Sequence, residues 1–392
     1  MTDIVFDFHV ADAPVATDRT AGWKYFRDAG EVVEDGGQWF VTSTEGAQYI
    51  HRHPELFSSA RAFDVLASPV PLIPIAIDPP QHKQFRKVLD PMLAPKVINL
   101  MESELRAQVR ELIMAFAGTG RCDVVADLAR LYPTQVFLTL FGLPLEHRDQ
   151  FIEWVEFIVE HSRNTDESSQ AQVAAAATAL FGFLQQQVDI KRANPGDDML
   201  SRVLSFTGEE AWTDSEVLGL CFLFTLAGLD TVTATIGFTL MQLANNPELR
   251  ARIVAQPELI PRTIEEALRL ELPAPMTPRI TTTDVEVCGF HIPAGSRVSI
   301  CLGVINRDPA MFAKPDEIDV DAEDRGHFAF GGGIHRCLGS HLARRELRLV
   351  VEEFHKLIPV YEIEAGFEPT VTWPSGTLHL DALPLRFPPA QL

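Results

Sequence analysis

Apolar side chains recur along most of this chain at three- and four-residue intervals, the spacing that turns one face of a helix toward a core. Read with start and stop signals, the pattern predicts helices over about 102–117, 124–142 and 146–161, then an alanine-rich one over 168–192 that Pro195-Gly196 ends. Asp214 is placed to cap a long helix reaching Asn245, and shorter helices follow over about 261–270 and 338–354. Period-two alternation is rarer. It marks a strand over 39–42, ahead of a helix over 43–52 that stops before Pro54, and a turning stretch over 279–301 with Pro293-Ala294-Gly295 as a hairpin corner. The expected fold is mainly α with small β-sheets.

At 392 residues the chain exceeds the roughly 250–300 residues that one hydrophobic core usually serves, so either two domains or one large fold around a cofactor is expected. No linker divides it, because Pro/Gly clusters such as Asn194-Pro195-Gly196 are short punctuation between helical patterns. Residues 1–18 lack the basic start of a signal peptide, and the longest apolar run, 217–229, is shorter than the ~20 residues a bilayer requires. A soluble, cytoplasmic protein is expected. The net charge of −21 argues against nucleic acid or an anionic membrane as the main partner. The five cysteines, Cys122, Cys221, Cys288, Cys301 and Cys337, form no CxxC pair, and their odd number speaks against a disulfide framework. Four of them read as small buried hydrophobes.

Cys337 is different. It stands in Phe330-Gly331-Gly332-Gly333-Ile334-His335-Arg336-Cys337-Leu338-Gly339, where a loop gives way to a helical pattern. Unpaired N–H groups and the partial positive charge of a helix start favour an ionised sulfur, so a lowered thiol pKa is expected. The loop glycines permit positive φ and let the backbone approach a flat ligand, and Gly339 leaves room beside it. This decapeptide resembles the haem-binding loop of the cytochrome P450 superfamily, the haem-thiolate monooxygenases. The resemblance implies Cys337 as axial iron ligand, haem b as cofactor, with Phe330, Gly331, His335 and Gly339 beside it, and one haem-enclosing domain over 1–392.

Other segments take their meaning from that resemblance. Ala227-Gly228-Leu229-Asp230-Thr231 lies mid-helix, where Gly228 costs about 1 kcal/mol relative to alanine. By residues alone, the pair reads as a threonine bonded back to its own helix and an acid paired to a neighbouring base. By resemblance, the helix opens locally, Asp230 gates protons from solvent and Thr231 holds dioxygen and its water. Glu266 and Arg269 resemble the Glu-x-x-Arg pair that locks a helix to the loop before the cysteine, with Arg325 as candidate third member, while Ile318 stands where an aromatic is common. His82 and Arg86, at i, i+4 on a helix that Asp78-Pro79-Pro80 opens, would join Arg279 and His335 in holding the two propionates.

The apolar loop 61–77, with Phe63, Leu66, Leu72 and Ile73, resembles the roof of a substrate pocket that Leu226, Ala227, Ala274, Met276 and Thr377 would complete. Such a lining suits a hydrophobic small molecule. The function implied is insertion of one oxygen atom from O2 into that substrate. A ferredoxin-type partner would supply electrons at the proximal face, where Lys83, Lys87, Arg106, Arg336, Arg344, Arg345 and Arg348 gather. The other readings are a haem-thiolate peroxygenase, isomerase or reductase, and a non-catalytic haem protein that binds a ligand.

Overall fold

The computed structural model describes residues 8–63, 68–161, 167–208, 211–323 and 326–391. In chain order its elements are α1 (Arg19–Ala29), β1 (Val32–Asp35), β2 (Gln38–Val41), α2 (Thr44–Arg52), β3 (Phe57–Ser58), α3 (Gln81–Met92), α4 (Pro95–Ala117), β4 (Arg121–Asp123), α5 (Leu131–Phe141), α6 (Arg148–His161), α7 (Glu167–Ala193), α8 (Met199–Leu204), α9 (Asp214–Asn245), α10 (Pro247–Ala255), α11 (Ile260–Leu270), β5 (Met276–Thr281), β6 (Val285–Val287), β7 (Phe290–Ile292), β8 (Arg297–Cys301), α12 (Leu302–Ile305), α13 (Ser340–Leu357), β9 (Glu362–Ile363) and β10 (Pro384–Arg386). Helices dominate and the sheets are small, as the pattern predicts.

The 32-residue helix α9 runs through the centre of the fold, and Thr213 rather than Asp214 caps it, in a reciprocal capping box with Glu216. Its composition passes the length and hydropathy test for a membrane span, yet 56% of its most apolar window is buried, as in the core helix of a large protein. Gly219 matters here: a Cβ at that position would sit 2.0 Å from the Pro71 carbonyl, so only glycine lets the 71–76 segment lie on α9. Helix α13 buries Leu347, Val350, Val351 and Phe354, an i, i+3, i+4, i+7 stripe, and packs along α4.

The main sheet has the order β1-β2-β8-β5-β3, with β2 and β8 parallel. It covers a second, smaller apolar core that includes Val41, Ile50, Phe57, Val298 and Ile300. Two boundary expectations need correction. The hairpin turn lies at Cys288-Gly289, between β6 and β7, where Cys288 takes φ 50°; Pro293-Ala294-Gly295 instead joins β7 to β8. The predicted helix 124–142 is two pieces, a π-helical turn over Val125–Ala129 and then α5, which Gly142 ends at φ 66°.

Candidate active site

The Cys337 loop is braced from below by α2. Gly333 adopts φ 66°, and a Cβ there would lie 2.4 Å from the His51 carbonyl, while one on Gly332 would lie 2.5 Å from His51 Nδ1. The glycines therefore serve close packing against His51 as much as turning. On the other side, a Cβ on Gly331 would meet nothing within 4 Å, and one on Gly339 only Cys337 Sγ at 4.0 Å. Cys337 is exposed, whereas Cys122, Cys221 and Cys301 are buried and Cys288 is half-buried. It is open on one side and walled by protein on the others. Burial pushes its thiol up, against opposing pulls from the Gly339 N–H and from Arg86, Arg336 and Arg344. The expected lowering by the helix start is thus not met, because α13 begins three residues later at Ser340. A coordinating metal ion deprotonates such a thiol outright.

Beside the loop lies a group of basic side chains with too few acids. The His82 and His335 rings sit 4.3 Å apart. His82 is buried and its Nε2 makes no hydrogen bond; His51 Nδ1 is also buried and unpaired. Arg279 is buried as well, donates only to the carbonyl of Pro278 at 2.7 Å, and has no carboxylate within ion-pair distance among the described residues. Burial and the charge of Arg279 push His51 down to about 4. Burial, then Arg279, His82, Arg86 and His51, push His335 down to about 3, and burial takes Arg279 down to about 10. Like charges held in low dielectric call for anionic partners. Two carboxylates of a flat cofactor lying on Gly331 and Gly339 would satisfy these donors, so the residues present fit haem. Arg86 is turned elsewhere: it donates to the carbonyls of Ile334 at 3.4 Å and Arg336 at 2.8 Å and pairs with Asp90 at 2.6 Å. It clamps the loop.

Arg269 is fully buried and holds Glu266 through two hydrogen bonds, of 3.0 and 2.8 Å. It also donates to the carbonyls of Asn306, Pro315, Lys314 and Glu317, so one guanidinium ties α11 to the whole stretch ahead of the cysteine loop. Phe312 supplies the aromatic face under it, 4.6 Å from ring centre to the guanidinium carbon; Ile318 packs against the core instead. Arg325, the candidate third member, lies outside the described residues. A neighbouring clamp was not expected: Glu265 accepts from His327 at 3.0 Å and from Arg344 at 2.6 and 2.7 Å. Burial raises its pKa, but these two partners bring it down to about 2.

Helix α9 carries an open face of its own. Ala227 is exposed although it lies mid-helix, and a Cβ on Gly228 would meet nothing within 4 Å. Thr231, one turn on, donates to the Ala227 carbonyl at 2.7 Å, the back-bond of an unbroken helix; the expected local opening is not present. Burial raises the Asp230 carboxyl, against opposing pulls from His379 and a hydrogen bond with Thr377. Thr377 therefore faces the acid. Phe63, Leu226, Ala274 and Met276 are half-buried, whereas Leu72 and Ile73 are buried core residues; Leu66 lies outside the described residues. A surface groove of about 720 Å³ between α4, β4 and β10 contains none of these residues.

This arrangement has close counterparts. The family model for cytochrome P450 matches residues 71–356. The chain belongs to the cytochrome P450 family. A probable cytochrome P450 127A1 of Sinorhizobium fredii is 32% identical over 367 residues, 93% of this chain and 86% of that protein. The vitamin D(3) 25-hydroxylase of Pseudonocardia autotrophica is 30% identical over 86% of this chain and 84% of its own. The crystal structure of the versatile cytochrome P450 enzyme CYP109B1 from Bacillus subtilis superposes with TM-score 0.84 at 27% identity, covering 95% of this chain and all of that one.

The protein is thus a haem-dependent P450 monooxygenase that takes O2 and an organic substrate and needs a supply of electrons. Haem held at this loop would supply the activation of dioxygen, which a cysteine thiolate on the iron would favour by donating electron density. This chain's residues do the rest. Three of the features above were invisible in sequence: His51, a lone histidine on an amphipathic helix; Phe312, with no fixed spacing from Arg269; and His379, some 150 positions from Asp230. None leaves a local signal, because each acts through a tertiary contact. The basic patch around the cysteine is also mostly neutralised. Arg344 binds Glu265 and stacks 4.4 Å over Phe330, Arg345 binds Glu102 and Asn99, Arg348 binds Glu352, and Arg106 binds Glu102, Glu352 and Glu353. Lys83 and Arg336 are exposed and hold no ion pair among the described residues.

Proposed function

We propose that this P450 is a single-domain, cytoplasmic enzyme that hydroxylates or epoxidises a hydrophobic small molecule, with Cys337 as iron ligand and His82, Arg279 and His335 on the propionates. The observation that carries the monooxygenase reading over a peroxygenase or isomerase is the acid–alcohol pair on the open face of α9: peroxide-driven or redox-neutral chemistry requires no proton delivery to dioxygen. Asp230, its carboxyl raised by burial, is suited to take and give protons. Thr231, whose proton is engaged by Ala227, offers its lone pairs to a water on that face. The half-buried apolar lining, and relatives such as the vitamin D(3) hydroxylase, support a hydrophobic substrate.

Two measurements test this reading. With the parent's substrate, found by a spin-state screen of terpenoids, steroids, fatty acids and aromatics, Asp230→Asn should slow turnover by about 10²-fold. Thr231→Ala should divert most electrons into hydrogen peroxide while haem content and substrate affinity stay unchanged. Parent rates and coupling in both variants would make the pair structural. Electrons come, we infer, from a ferredoxin-type protein docking at the cysteine-loop face. Because Arg344 and Arg348 are committed to acids, the informative variant is Lys83→Glu with Arg336→Glu. It should raise the ferredoxin KM several-fold and flatten its salt dependence, with substrate binding intact. Unchanged kinetics at low ionic strength would place docking elsewhere.

A further inference from the structure

The least expected neighbour of Asp230 is His379, in the segment after α13 that crosses back over α9. Its Nδ1 lies 4.0 Å from Asp230 Oδ1 and its Nε2 lies 3.6 Å from Asp381 Oδ1. Nδ1 is buried and makes no hydrogen bond, while the Asp381 side chain is 81% exposed. The imidazole therefore stands between an interior acid and a solvated one. The segment is pinned there from both sides: Leu378 N–H donates to the Pro273 carbonyl at 2.7 Å, and Leu380 pairs with Val371 and rests on Gly237 of α9. Thr377, two residues before His379, bonds to the same Asp230 carboxyl. Among the described residues, His379 is the one charge that acts on Asp230; the neighbours of Asp230 one turn away on α9, Leu226, Ala227, Thr233 and Ala234, carry none.

We propose that His379 is the positioning and proton-carrying residue that reloads Asp230 from solvent, past Asp381. The inference rests on Asp230 being the catalytic acid. In one cycle the protonated ring passes its Nδ1 proton to Asp230 Oδ1 and is left neutral with its Nε2 proton in place. The bare Nδ1 regains a proton from water when the ring swings toward the Asp381 side, which restores the charge, and no electron moves. The 4.0 Å separation is about 1 Å longer than a hydrogen bond, a shift that one side-chain adjustment supplies. Imidazole is suited to the task because it exchanges protons near neutral pH and has two distinct nitrogens to do it with.

The test uses the haem-loaded enzyme and reads the acid directly, by infrared titration of the carboxyl band that disappears in Asp230→Asn. In His379→Gln, with haem content and substrate affinity confirmed, the midpoint of that band should move up by about 0.7 pH unit or more. That is the shift expected when a unit charge about 4 Å away is removed even from a water-like dielectric. Coupled turnover should fall by about tenfold, with peroxide rising to match. His379→Lys should bring the midpoint back without the rate, because an ammonium keeps the charge and does not shuttle protons near neutral pH. A parent midpoint and parent coupling in His379→Gln overturn the proposal, and a lysine variant that restores both overturns the carrying role. Loss of function in Asp230→Asn alongside a silent His379→Gln would leave the acid in place and remove only this inference. Full activity in Asp230→Asn would instead remove the reading beneath it.

Discussion

Exchange of Cys337 for histidine is expected to abolish monooxygenation and to remove the strongly red-shifted Soret band of the reduced, CO-bound enzyme. The reason lies in what the sulfur does once ionised: a thiolate pushes charge toward the iron, which a neutral imidazole does not. The loop itself should survive. Its shape depends on the Cys337 N–H bonded to the Phe330 carbonyl at 2.9 Å, on Arg86 holding the carbonyls of Ile334 and Arg336, and on Gly333 against His51, none of which involves the thiol. The matching control is Cys221→Ala. Cys221 is buried on α9 with its thiol pushed up to about 12, so its removal should leave the spectrum unchanged. A Cys337→His enzyme with the parent's CO spectrum would end the ligand assignment.

Arg269→Lys should be the most destructive substitution distant from the chemistry. Lysine keeps the charge but has neither the planar fork that binds both Glu266 oxygens nor enough donors for four carbonyls. Glu266 and Asn306 among the stranded groups are buried, and breaking a buried ion pair of this kind costs about 3–5 kcal/mol. Set against a typical total stability of about 5–15 kcal/mol, that loss should yield a protein expressed mainly without haem, melting well below the parent. Glu266→Gln should do less harm, because an amide oxygen in the Oε2 position still accepts from Arg269 Nη2 and from the Asp319 N–H. A melting curve and haem content for Arg269→Lys equal to the parent's would show that the carbonyls before the cysteine loop are held by something other than this side chain.

These residues also show which features the chain made legible in advance. The cysteine loop, the buried Glu266–Arg269 pair and the long helix α9 announce themselves because glycine spacing, an i, i+3 pair and unbroken apolar periodicity are local. The length of α4 was underestimated because Pro95 at its first position reads as a breaker when it is a starter. The turn at Cys288 escaped because a cysteine with positive φ is chosen by its surroundings, here Ser43 and Gly46 at the start of α2, rather than by its own preference. β3, β9 and β10 are too short to show alternation. Arg86 bonding to the cysteine loop and the burial of Leu72 were not legible either, because which way a side chain turns on its element is set by tertiary contacts.

The unanswered positive charge around Arg279 ties the abundance of this enzyme to its cofactor. A native state that keeps His51, His82, His335 and Arg279 in one poorly solvated pocket gains stability from any dianion that enters it. By mass action, each tenfold rise in free haem above its dissociation constant adds about 1.4 kcal/mol to that state. Porphyrin supply then acts as a quality gate: chains synthesised faster than haem arrives spend longest in open forms and are the first that proteases degrade. For expression of this protein, feeding the haem pathway should accordingly do more for yield than strengthening the promoter.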